Sequence, residues 1–132
     1  MTLNPHLSFD GQCRAAFELY ASCLGGRIVA MLSYGESPLA SEVPPDMRDK
    51  IMHVTMEIGA CRLSGADVPP AQYEPPRGVS VLLSPESPEE AERVFGSLAE
   101  GGSVHLPLQK TFWAARFGMV TDRFGTPWLI SC

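Results

Sequence analysis

Apolar and polar residues alternate along the chain in two rhythms, one with the two-residue period of a strand and one with the longer period of a helix. Leu3 to Phe9 reads as a strand, and from Gly11 to Leu24 the apolar residues Cys13, Ala16, Phe17, Tyr20 and Leu24 fall on one helical face. Gly25-Gly26 ends that helix, because glycine supplies the left-handed conformation at a helix C-terminus at no steric cost. Arg27 to Tyr34 resumes as a strand, and Glu36 to Lys50, with Pro38, Pro44 and Pro45, reads as a loop. Ile51 to Ile58 sets Met52, Val54, Met56 and Ile58 against His53, Thr55 and Glu57, and Gly59-Ala60 turns this strand into Cys61 to Ser64.

The same order then repeats. Val68 to Arg77 carries Pro69, Pro70, Pro75 and Pro76, a composition that favours a stiff extended connector. Gly78 to Ser84 reads as a strand, and Ser87-Pro88-Glu89-Glu90 is a helix start, with a capping hydroxyl and a proline at the first helical position. Ala91, Val94, Phe95 and Leu98 form the apolar face of that helix, which Gly101-Gly102 ends. Val104 to Gln109, Phe112 to Thr121 and Thr126 to Cys132 read as three further strands, the last two joined through Asp122 to Gly125. The glycine pairs begin at 25 and 101, 76 residues apart, and the opening strands begin near 3 and 78, 75 apart. The pattern therefore predicts an α+β chain of one domain over 1–132, built from two βαβββ modules at about 3–67 and 78–132. A ferredoxin-like fold is the competing reading, and it supplies too few strands.

Composition narrows the partners. Fifteen acidic against ten basic residues give a net charge of −5, with no basic excess to neutralise nucleic-acid phosphates or anionic lipid. No apolar run approaches the roughly 20 residues of a spanning helix, and the start lacks a signal-peptide pattern. The expectation is a soluble cytoplasmic protein with no nucleic-acid or membrane partner. Cys13, Cys23, Cys61 and Cys132 include no C-x-x-C pair and no fixed spacing to a histidine, so they read as reduced thiols.

Several stretches carry a resemblance to a known family. They are Pro5 to Phe9 with Gly11, Gln12 and Cys13; Tyr20 with Leu24-Gly25-Gly26; Tyr34-Gly35-Glu36 with Pro38; and Ile51-Met52-His53. Thr111-Phe112-Trp113-Ala114, Phe117-Gly118, and Val120 to Gly125 with Pro127-Trp128 are the most specific. Along nearly its whole length the chain resembles the PhnB-like branch, often labelled 3-demethylubiquinone methyltransferase-like, of the vicinal oxygen chelate (glyoxalase/bleomycin resistance/dioxygenase) superfamily. The resemblance implies paired βαβββ modules forming a curved, partly open β-sheet barrel around a cavity, helices outside, commonly as a homodimer. The methyltransferase label finds no glycine-rich strand-to-helix turn that would seat S-adenosylmethionine. Where many PhnB-like sequences have Glu before Thr-Phe-Trp and His after Trp-Ala, this chain has Lys110 and Ala115.

Metal-dependent members of the superfamily place ligands on the first and last strands of each module. Here those strands offer His6 with Asn4 and Ser8, then Cys61 to Ser64, then Val79 and Val81, and Leu129 where the metalloenzymes carry Glu. His6 is a weak metal candidate standing alone, and one imidazole does not hold a divalent ion.

The candidate ligand-binding residues are His6, Glu36, His53, Trp113, Arg116 and Phe117. His53 coincides with a histidine common in PhnB-like sequences, and Glu57 lies on the same strand face, so the two are the acid-base candidates. Trp113 and Phe117 offer aromatic walls, and the Arg116 guanidinium matches an anion. Each also has a plainer reading as core or surface. His105 has no partner visible in sequence, and Asp122 reads as a turn residue bonding its own backbone. The reading favoured is a metal-free protein that binds a small-molecule ligand, with no cofactor and itself as partner. The alternative is a metal-dependent or acid-base enzyme, of lyase or isomerase type, on a small polar substrate, so whether the protein is an enzyme stays open.

Overall fold

A computed structural model describes residues 1–132, which divide into two compact units, Met1–Glu74 and Pro75–Cys132. The first unit contains β1 (His6–Phe9), α1 (Cys13–Leu24), β2 (Arg27–Ser33), β3 (Ile51–Ile58) and β4 (Cys61–Asp67). Its strands form one sheet in the order β1-β4-β3-β2, with β1 parallel to β4 and the other pairs antiparallel. The second contains β5 (Val81–Leu83), α2 (Pro88–Ala99), β6 (Ser103–Gln109), β7 (Phe117–Thr121) and β8 (Pro127–Ser131). Its sheet, β5-β8-β7-β6, repeats the first with the same parallel edge pair. The chain is thus a duplicated βαβββ protein of the α+β class. Each four-stranded sheet is separate, and neither closes into a barrel.

Each helix covers one face of its own sheet. In the first unit Cys13, Ala16, Phe17, Tyr20 and Cys23 are buried on α1, facing Leu7, Phe9, Val54, Met56 and Leu63 from the strands. Phe17 meets Phe9 and Tyr20 edge to face, at centroid separations of 6.0 and 5.6 Å. Cys23 takes the buried place expected for Leu24, which is only half-buried. The helix ends where Gly25 adopts φ 70° and donates to the Ala21 carbonyl. In the second unit Ala91, Val94 and Leu98 pack over Val120, Trp128 and Ile130. Ser87 caps α2 by accepting from the Glu90 N–H at 3.1 Å.

The aperiodic stretch after β2 is three single 3-10 turns, Tyr34–Glu36, Ala40–Glu42 and Pro45–Met47. Three expected strands are shorter than the apolar pattern suggests. The first begins at His6 rather than Leu3, and β5 keeps only Val81 to Leu83, because both are edge strands paired on one side only. Phe112 lies outside β7: Thr111 and Ala114 close a turn upon themselves, and Ala115 donates to the Cys132 carbonyl at 2.8 Å. Conversely β4 runs past Ser64 to Asp67, because the parallel partner β1 extends the ladder that far.

Candidate functional site

Strand alternation in the first unit sends Leu7, Phe9, Val54, Met56 and Leu63 toward α1, and the intervening residues to the opposite face. Pairing sets those residues in rows. His6 lies opposite Ser64, Ser64 opposite Thr55, and Thr55 opposite Ala30. His53 lies opposite Leu32, and Glu57 lies between Arg62 and Arg27. Neighbours on such a face stand about 4.8 Å apart across strands and about 6.6 Å apart along one, within reach of a single small molecule.

Two hydrogen-bonded groups organise the face. His53 Nε2 lies 2.8 Å from Thr55 Oγ1, which in turn lies 3.4 Å from Ser64 Oγ, so an exposed imidazole and two hydroxyls form a chain. Glu57 is the second centre: Oε1 accepts from Arg27 Nη2 at 3.2 Å, while Oε2 accepts from Arg62 Nε at 3.2 Å and Nη2 at 3.0 Å. The expected partnership of His53 with Glu57 therefore does not form. The two lie four residues apart on β3, about 13 Å along an extended strand, so their side chains do not meet. Two guanidiniums hold the carboxylate, and the imidazole bonds Thr55.

The remaining candidates fall elsewhere. Glu36 is exposed and closes a capping box: Oε1 accepts from the Ser33 N–H at 3.1 Å, and Ser33 Oγ accepts from the Glu36 N–H at 3.3 Å. These bonds from Ser33 hold its carboxyl below the usual carboxylate range. In the second unit the Phe112 and Trp113 rings meet edge to face at 4.7 Å, and Trp113 meets Phe117 at 5.3 Å. Phe112 is 97% exposed and Trp113 58%, so neither is core; the buried tryptophan is Trp128. Arg116 reaches across its unit to Glu92, Nη2 to Oε1 at 3.0 Å, and also donates to the Ala115 carbonyl. His105 finds the partner its sequence context lacks, with Nε2 2.8 Å from Thr121 Oγ1. Asp122 is the expected turn residue and does more, since Oδ2 accepts from the buried Trp128 indole at 2.8 Å.

Thr55, Ser64, Arg27 and Arg62 are the members of the polar face that the sequence reading does not select. The alternation of β3 already exposes Thr55 beside His53, whereas Ser64 and both arginines join only through the cross-strand register. A divalent ion finds no fitting donor set here. Around His6 stand hydroxyls, Glu57 is saturated by guanidiniums, and no three His, Cys, Asp or Glu side chains converge. A cleft of about 200 Å³ between Asp10, Asp46, Met47, Lys50 and Val68 contains none of the candidate residues.

A duplicated βαβββ chain with a polar sheet face turned away from its helix defines a protein of the glyoxalase/bleomycin resistance/dioxygenase fold. Solved structures of that fold match nearly the whole chain at identities that speak to fold alone. More narrowly, a family model described as 3-demethylubiquinone-9 3-methyltransferase matches residues 1–131, and the chain belongs to that family. It is 34% identical to Protein YjdN of Escherichia coli (strain K12), over 99% of this chain and 95% of that one. Among solved structures, protein PA1353 from Pseudomonas aeruginosa is similar at 49% identity and TM-score 0.91, covering 100% of this chain and 97% of that one. The PhnB protein from Bacillus cereus has a TM-score of 0.84 at 22% identity, over 99% and 98% of the two chains. No helix is long and apolar enough to cross a membrane.

Proposed function

We propose that this chain binds a small polar molecule without a metal, on the sheet face of its first unit. The observation that carries this reading is the chain from His53 Nε2 through Thr55 Oγ1 to Ser64 Oγ, held on an exposed face with His6 across the strand from Ser64. An imidazole and hydroxyls present both donors and acceptors, which recognise hydroxyl and carbonyl groups by hydrogen bonds. The separation of Glu57 from His53 along β3, together with its pairing to two arginines, argues against an acid-base pair, so binding is favoured over a reaction of lyase or isomerase type. In the second unit Phe112 and Trp113 present aromatic rings to solvent, of the kind that binding surfaces use. The family resemblance supports a homodimer in which a second copy of the chain covers these rings.

The test is a thermal-shift screen of small polar metabolites on EDTA-treated protein. Compounds that raise the melting temperature of wild type are expected to bind His53→Ala at least about tenfold more weakly, the loss of one or two good hydrogen bonds. Equal affinity in the variant removes His53 from the site.

A further inference from the structure

The chemistry of the ligand follows from the second centre on the same face, and this inference rests on the binding reading above. Glu57 is the sole acidic side chain among the residues that β1, β2, β3 and β4 place on that face, which are otherwise His6, Ser8, Ala30, Leu32, His53, Thr55, Ser64 and Ala66 with the two arginines. One carboxylate between two guanidiniums leaves one positive charge uncompensated, in a chain whose net charge is −5. Arg62 gives Nε and Nη2 to Glu57, so that its Nη1 edge has no partner, and Arg27 gives only Nη2. Both side chains are exposed, at 79% for Arg27 and 58% for Arg62, while Glu57 between them is 29% exposed. Glu57 thus orients two arginines and leaves part of each fork outward. A cationic ligand would meet no free carboxylate on this face; an anionic one meets a fixed guanidinium. Ser64 stands one same-face step along β4 from Arg62, and Thr55 one step along β3 from Glu57.

We infer that the ligand of this face is a small hydroxylated anion, its charged end received by Arg62 and Arg27 and its hydroxyls by Ser64, Thr55 and His53. A carboxylate and a phosphate monoester share the chemistry that a guanidinium recognises, and the choice between them is left to the probes.

The test is a heteronuclear NMR titration of ¹⁵N-labelled full chain with glycerol, glycerate and glycerol 3-phosphate, three probes sharing a hydroxylated skeleton. The readouts are the backbone amides of Thr55 and Ser64 and the Nε–H of Arg62, in wild type, Arg62→Gln and Glu57→Gln, each checked for an unchanged amide spectrum elsewhere. At least one of the two anions is expected to bind at least about fivefold more tightly than glycerol, and the tighter one identifies the charged group. Arg62→Gln should erase that preference, and Glu57→Gln, which frees a second positive charge, should enlarge it. If glycerol and both anions shift the Thr55 and Ser64 amides with equal affinity, the anionic class is overturned while the face remains a binding site; if Arg62→Gln keeps the preference, the assignment of the charged end to Arg62 is overturned. If no probe moves these amides at 100-millimolar order, both the anion and the binding reading fail.

Discussion

At the scale of single residues, a carboxylate that the sequence reading passes over organises the first unit. Asp67 is buried, and it closes two backbone gaps: Oδ1 accepts from the Cys13 N–H at 3.0 Å and Oδ2 from the Ile51 N–H at 2.9 Å. Its own carbonyl accepts from the Tyr34 hydroxyl at 2.7 Å. Gln12 supplies no side-chain cap for α1, so Asp67 performs that role from 54 residues away. No local motif announces a cap supplied from so far along the chain, which is why it was illegible. Its effect on Cys13 is measurable. Burial first, and then the Asp67 charge, push the Cys13 thiol up to about 12, against an opposing pull from Arg14. Tyr34 is likewise raised, by burial and then by Asp67 and Cys13.

A thiol whose folded pKa lies above its unfolded value of 9.0 keeps its proton longer in the folded state, so its contribution to stability is intact below pH 9. That contribution is lost progressively as pH rises from 9 toward about 12. Wild type should therefore lose urea resistance across this window, and Cys13→Ala should lose less of it. In the same range exposed Cys61 should react with a thiol reagent in the folded protein, while buried Cys13 reacts only on unfolding. An alkaline slope identical in wild type and Cys13→Ala removes the thiol from this role.

At the scale of elements, duplication was legible because both modules repeat the same punctuation, a helix of 12 residues, a glycine pair at or just past its end, and three strands. Both units also use one packing device that periodicity does not show, on the last strand of the first unit and the third strand of the second. In the first unit the Phe17 ring occupies the space a side chain at Gly65 would enter: a Cβ on that residue would lie only 2.6 Å from Phe17 Cε2. In the second, Phe95 does the same over Gly118, at 2.8 Å. Each helix thus seats one aromatic ring against a bare strand position. Gly65→Ala forces the ring or the backbone to move, and a loss of about 1 to 3 kcal/mol is expected in urea denaturation, the usual cost of overpacking a core. No change would show that the ring has room to shift.

The strand boundaries were less legible, for a reason visible in the Phe112 segment. Its apolar residues continue the strand pattern, yet Thr111 and Ala114 form a turn and leave Phe112 and Trp113 exposed. Periodicity reports which residues are apolar, not whether a partner strand is present to receive their backbone groups. The polar face shows the same divide. His53, Thr55 and Glu57 were visible as one alternating set, but Arg27 and Arg62 join Glu57 only through the register of β2 and β4. His53 bonds Thr55 two residues along its own strand, because Glu57, four residues along, lies out of reach.

At the scale of the whole molecule, an acidic chain carries a local face whose one carboxylate is outnumbered by guanidiniums. Net charge speaks to non-specific association and solubility, whereas the arrangement on the sheet speaks to what the face selects. Two copies of one βαβββ unit have also diverged in surface chemistry. Both present an imidazole on a hydroxyl and paired charges, but the exposed aromatic rings, Phe112 and Trp113, belong to the second. Fold is shared by many chemistries, so the proposed function rests on the first unit's polar groups rather than on the architecture.

The most direct measurement is amide chemical-shift mapping of the strongest thermal-shift compound on EDTA-treated, ¹⁵N-labelled protein. The largest shifts should centre on His6, His53, Thr55 and Ser64 and be unchanged when a divalent ion is restored. Shifts centred elsewhere, or binding that appears only with the ion present, would contradict metal-free recognition on this face.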